Sequence, residues 1–153
     1  MALLLTLDAS LFVAACRSPE PGFAASRALL AALRNSGTPL VEPAILPVET
    51  AAALRRAGHS AAEALEYATA LLALPRLTLV SVDEPLAERA AQMAATCSLR
   101  GADALYVTVA ALYDATLVTL DREQLHRAPR EVQTCTPETA LSLLLKQAPR
   151  RPR

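Results

Sequence analysis

The sequence predicts a single α/β domain, an α/β/α sandwich whose central parallel sheet has four or five strands. Three observations predict it. Short apolar runs alternate with longer segments of helical character along the chain. The first run, Leu3 to Leu7, carries no charge and ends abruptly on Asp8, as a strand buried on both faces does before it feeds a helix. The 153 residues are 53% hydrophobic, which is ample for one core of ordinary size.

In chain order, Ala9 to Ala15 is a helix, and the loop Arg17-Ser18-Pro19-Glu20-Pro21-Gly22 follows because two prolines and a glycine deny it a regular ladder. Phe23 to Arg34 is a helix with Phe23, Leu29, Leu30 and Leu33 as its apolar stripe and Asn35-Ser36-Gly37 as its stop. Thr38 to Val41 is a short strand. Pro47 suits the first turn of a helix through Ala57, ended by Gly58, and Ser60-Ala61-Ala62-Glu63 is a capping box opening a helix to Leu74. Those two helices read as a hairpin. Leu77 to Val82 is the third strand and Pro85 to Cys97 its helix. Ala102 to Tyr113 is a further helix, Thr116 to Leu120 a strand ending on Asp121, Val132 to Cys135 the last strand, and Pro137 to Gln147 the closing helix. Residues 1–147 form the domain. The basic tail 148–153 has no packing signal and is expected to be disordered.

Composition removes several functions. Net charge is zero, so no overall basic field gathers nucleic acid and any polyanion must be held locally. Cys16, Cys97 and Cys135 are odd in number and form no C-x-x-C pair, which argues against a zinc site or a disulfide framework and for buried thiols in a reducing cytoplasm. Asp8 cuts the N-terminal apolar run and no basic segment precedes it, unlike a signal peptide. Uncharged apolar stretches fall short of the ~18 residues of a membrane span. A soluble cytoplasmic protein is the expectation.

The chemistry is expected where strands end. In open parallel sheets ligands bind beyond the carboxyl ends of the strands. Asp8 and Asp121 end strands, while Glu49 and Asp103 open helices that start from the same edge. Asp8, Asp103 and Asp121 can each be read instead as N-caps, worth about 1 kcal/mol apiece. Four acids at one edge repel one another and raise each other's pKa, however, and a cation neutralises such a set. All-oxygen donors without histidine or thiolate suit Mg²⁺ or Mn²⁺. His59 and His126 read as surface residues, and Tyr106 as packing on the sheet.

The order Leu7-Asp8-Ala9-Ser10, Pro43-Ala44-Ile45-Leu46-Pro47-Val48-Glu49, Gly101-Ala102-Asp103-Ala104-Leu105-Tyr106 and Leu117-Val118-Thr119-Leu120-Asp121 resembles the PIN-domain ribonucleases. Within that family it is most similar to the VapC-type toxins of bacterial toxin–antitoxin pairs, over essentially the whole chain. The resemblance implies a PIN-like fold and a metal-dependent endoribonuclease. Asp8 and Asp103 would be the principal Mg²⁺ or Mn²⁺ ligands, with Glu49 and Asp121 completing the site directly or through water. Ser10 and Thr119 would orient carboxylates by hydrogen bonds. Glu42, near the family glutamate, is set aside in favour of Glu49 because it falls in the link from strand to helix. The implied partners are an RNA substrate, a protein antitoxin and a second copy of the chain. Arg17, Arg100 and Arg122 lie close in sequence to site acids and are candidates for RNA phosphate contacts.

Rival classes fit less well. A phosphoryl-accepting receiver domain needs a lysine after its last strand, and the only lysine here is Lys146 in the closing helix. A haloacid-dehalogenase-type phosphatase wants D-x-D where this chain reads Asp8-Ala9-Ser10. The stronger alternative is a PIN-like RNA- or protein-binding module with little turnover. The Ala/Leu-rich helix Ala61 to Leu74 offers an oligomer or partner surface in either case.

Overall fold

The structure, a computed structural model, describes residues 2–147, so the tail at 148–153 lies outside the described residues. Five strands, β1 (Leu5–Leu7), β2 (Leu40–Pro43), β3 (Leu77–Val80), β4 (Thr116–Val118) and β5 (Thr134–Cys135), form one sheet in the order β3-β2-β1-β4-β5. Every pairing is parallel. Among the described residues, eight helices flank it: α1 (Ala9–Ala14), α2 (Phe23–Ser36), α3 (Leu46–Arg56), α4 (Ala61–Leu71), α5 (Glu84–Cys97), α6 (Gly101–Tyr113), α7 (Arg122–Arg127) and α8 (Pro137–Gln147). The expected α/β sandwich is therefore present.

The central strand is short and uncharged. Leu5, Thr6 and Leu7 are wholly buried, as a strand with neighbours on both edges and helices against its faces must be. Helix α6 packs directly on β1, β2 and β4, and eight consecutive residues from Asp103 to Ala110 are buried, so it is the innermost helix. Between helices, α5 packs on α6, α3 on α4 and α2 on α8, while α1 lies against α3 and α2.

Helix ends follow the local chemistry. The Ser60 hydroxyl accepts from Glu63 N at 3.2 Å while the Glu63 carboxylate accepts from Ser60 N at 2.7 Å, completing the capping box. Gly37 ends α2 in a left-handed conformation. At Gly22, with φ of +84°, an added Cβ would lie 2.8 Å from the Leu120 side chain, so the glycine lets α2 start close against the β4–α7 connection.

Three readings are corrected. Strand β2 starts at Leu40 and runs through Glu42 and Pro43, later than Thr38 to Val41. Its register against β3, Glu42 with Leu79 and Pro43 with Val80, extends it past the charged residue. Glu42 is thus inside the strand and fully buried, not in the link that follows. Asp103 is no N-cap: Arg100 holds that position and Asp103 sits in the first turn. The three cysteines are half-buried and not core thiols: Cys97 ends α5, Cys135 ends β5 and Cys16 lies in the turn after α1.

Candidate functional site at the carboxyl edge of the sheet

Asp8 leaves β1 in an extended conformation and caps α1, its Oδ2 accepting from Ser10 N at 3.2 Å. Thr119, just past β4, reaches across from the neighbouring strand and donates its hydroxyl to the same oxygen at 3.2 Å. The Thr119 oxygen in turn accepts from Asp121 N at 2.9 Å. One buried threonine therefore ties the acid of β1 to the acid after β4. The Ser10 hydroxyl accepts from Leu120 N at 3.3 Å, fastening α1 to that connection as well.

Asp121 caps α7, its Oδ1 accepting from Glu123 N at 2.7 Å. Asp103 reaches the site from the first turn of α6, and its Oδ1 accepts from the buried amide of Gln124 at 2.8 Å. The remaining oxygens of both groups meet one cation. Arg100 donates Nε to Asp103 Oδ2 at 3.0 Å and Nη2 to Asp121 Oδ2 at 2.7 Å, with 70% of its side chain exposed.

Glu49, in the first turn of α3, faces the same space. Asp8, Glu49, Asp103 and Asp121 all line one open cleft of about 450 Å³, together with Ser10, Glu20, Arg56 and Arg100. Carboxylates outnumber arginines in its wall, so the cleft attracts cations more readily than bare phosphate. Among the described residues, no three His, Cys, Asp or Glu side chains converge closely enough to hold one metal ion in this arrangement. Arg100 occupies the ground between two of them.

Burial, more than mutual repulsion, sets the charge states. Asp8 is only 4% exposed, and desolvation raises its pKa, with Asp103 adding a smaller push against the hydrogen bonds that lower it. Glu49 is raised too, first by burial and then by Asp8 and Asp103, against the Tyr106 hydroxyl and Arg56. Glu42 is raised well above the usual carboxylate range by complete burial, with Asp8 contributing. Its Oε1 accepts from Leu7 N at 2.6 Å and its Oε2 has no partner. Tyr106 is fully buried behind the acids, its hydroxyl near Glu49 but in no well-formed hydrogen bond, and its pKa is raised first by burial and then by Glu49.

The arginines divide differently from their sequence proximity. Arg100 lines the cleft, whereas Arg17 pairs with Glu20 at 2.7 Å and Arg122 is an exposed residue of α7 outside the cleft wall. Arg56 lines the cleft and was missed, although it follows Glu49 by two helical turns, a spacing that places both on one face of α3. Gln124 was missed as well. Asp121-Arg122-Glu123-Gln124 has the spacing of a capping box, which hides a glutamine turned to another acid. His126 is exposed and accepts nothing from the cleft, its Nδ1 lying 2.6 Å from the Arg122 carbonyl.

The PIN-domain family model matches residues 5–131, and the chain belongs to that family. No curated protein sequence matches the chain significantly. Among solved structures, PAE2754 from Pyrobaculum aerophilum is 25% identical, with a TM-score of 0.67 over 96% of this chain and 100% of that one. VapC20 from Mycobacterium tuberculosis, a sarcin-ricin loop cleaving toxin, is 19% identical with a TM-score of 0.67, covering 84% of this chain and 98% of that one. VapBC2 from Rickettsia felis, solved bound to a DNA fragment from its promoter, is 13% identical with a TM-score of 0.65, covering 88% and 98%. No described helix is long and apolar enough to cross a membrane.

Proposed function

We propose that this chain is a divalent-metal-dependent endoribonuclease and the VapC-type toxin of a type II toxin–antitoxin pair, hydrolysing RNA phosphodiester bonds in the acidic cleft. The observation that carries the reading is the meeting of Asp8, Glu49, Asp103 and Asp121 in one cleft of a PIN-domain chain. The donor set is all carboxylate oxygen, which suits Mg²⁺ or Mn²⁺, and the guanidinium of Arg100 between Asp103 and Asp121 marks the place as one that accepts a cation. When bound, the ion supplies a water acidic enough to attack near neutral pH and offsets charge on the phosphate and on the leaving oxygen.

The chain's own residues set up that chemistry. Asp8 and Asp103 would be the principal ligands, and Glu49 and Asp121 would complete the set directly or through water. Thr119 holds Asp8, and Gln124 holds Asp103, each fixing a carboxylate by a buried hydrogen bond. Arg56 and Arg100, which line the cleft, would contact RNA phosphates. The toxin reading draws on VapC20, a toxin that cleaves the sarcin-ricin loop, and on VapBC2, a complex bound to promoter DNA. A protein antitoxin and a second copy of the chain are the corresponding partners, in the cytoplasm.

Structured RNA is expected to be cut in Mg²⁺ or Mn²⁺ and spared in EDTA. Asp8→Asn or Asp103→Asn should slow cleavage by about a thousandfold or more, the loss of several kcal/mol of transition-state stabilisation. Undiminished cleavage by both variants ends the nuclease assignment. The alternative, a PIN-like binding module with little turnover, has one observation in its favour, the Arg100 bridge across two of the acids. RNA binding without cleavage in either ion would support it.

A further inference from the structure

Arg100 contacts Asp103 and Asp121 in a particular way. Each acid has one oxygen fixed by the protein, Asp103 Oδ1 by the Gln124 amide and Asp121 Oδ1 by Glu123 N. In each it is the other oxygen, Oδ2, that Arg100 takes. Two nitrogens of one guanidinium thus occupy two carboxylate oxygens that are already aimed and that come from separate elements, α6 and the start of α7.

The arginine itself is poorly anchored. Its side chain is 70% exposed, and its backbone stands at the N-cap of α6 with the carbonyl held by Ala104 N, so the side chain can turn away without disturbing the helix. Exposed ion pairs contribute little net stability. A guanidinium and a divalent ion cannot share the same lone pairs, and the divalent ion carries twice the charge.

We propose that Arg100 is a resident counter-ion that a divalent cation must displace to enter the site, so that the chain sets its own threshold for metal. This rests on the reading of the cleft as a metal site. It gives Arg100 a role in the metal-free protein that is separate from any contact with RNA. Removal of the arginine should leave Asp103 and Asp121 aimed as before, because Gln124 and Glu123 N still hold them.

Mn²⁺ titration of the full chain by calorimetry, without RNA, tests the proposal. Arg100→Gln should bind Mn²⁺ about tenfold more tightly than wild type, the scale of two exposed ion pairs lost by the competitor. Arg89→Gln, which removes one positive charge from the exposed face of α5, should bind like wild type and so excludes a mere change in net charge. Arg100→Lys keeps the charge but lacks the fork that spans both acids, so its affinity should fall between the two. Equal affinity in wild type and Arg100→Gln overturns the proposal and leaves the metal site standing. An equal gain in Arg89→Gln also overturns it. Absence of Mn²⁺ binding in every protein overturns the metal reading and this inference together.

Discussion

Gln124 and Asp103 are joined by a buried hydrogen bond of 2.8 Å, from the amide of one to Oδ1 of the other, although 21 residues separate them and they belong to different helices. The glutamine is fully buried, so the bond works in a low dielectric, and it fixes the plane of an acid whose backbone alone would leave it free to rotate. Gln124→Leu keeps the bulk and removes the donor. It should lower Mn²⁺ affinity and metal-dependent cleavage about ten- to a hundredfold. Wild-type values for both would show that Asp103 is positioned without it.

Thr119→Val tests the link between the two strand ends. The hydroxyl both donates to Asp8 and accepts from Asp121 N, so an isosteric methyl leaves Asp121 N without its acceptor and takes one of two donors from Asp8 Oδ2. Stability should fall by about 1–3 kcal/mol, a melting shift of several degrees, and cleavage should fall with it. A chemical denaturation series measures the first and an RNA assay the second.

Stability in EDTA should decline with rising pH, contrary to the usual behaviour of a paired carboxylate. Asp8, Glu42 and Glu49 have pKa values raised in the folded state, first by burial. The folded chain then keeps protons that the unfolded chain has released, so stability is full below the ordinary carboxylate range and is lost as pH climbs through the raised values. Glu42→Gln retains an acceptor for Leu7 N but cannot ionise. Its melting curve should be flatter with pH, close to wild type near pH 4 and above it near pH 8. Parallel curves would mean that Glu42 does not titrate in this range.

The α3–α4 hairpin leaves Val48 and Leu65 about two-thirds exposed, at 65% and 66%, with Leu72 at 47%. Such side chains on adjoining helices are suited to self-association. Light scattering at micromolar concentration should give twice the chain mass, and Leu65→Glu with Val48→Glu should shift it toward the monomer. A monomeric wild type would exclude the dimer.

Much of this was legible because punctuation and period act locally. Prolines, glycines and the Ser60 capping box place helix ends from adjacent residues alone, and the strand-to-helix order of an α/β chain sends Asp8, Glu49, Asp103 and Asp121 to one edge. What escaped was tertiary. Glu42 reads as a solvent-seeking link residue, and only a raised pKa and the Leu7 amide make its burial in β2 tolerable. The acids were expected to repel one another, yet Arg100 and Gln124 answer two of them from positions that no local pattern singles out. Nearness in sequence did not bring Arg17 or Arg122 into the cleft wall, whereas the helical period of α3 would have found Arg56.

The central position of β1 in the sheet also governs timing. Synthesis delivers Leu5 to Asp8 before either neighbouring strand, for β1 pairs with Leu40 on one side and with Thr116 to Val118 on the other, and Asp8 takes its hydroxyl donor from a residue 111 positions later. Until β4 has been made, the central strand can have at most one of its two neighbours. The cleft, with walls from both ends of that interval, cannot close until β4 and the start of α7 have left the ribosome. Whatever the site does, the nascent polypeptide is incapable of it while Thr119 and Asp121 are still inside the exit tunnel.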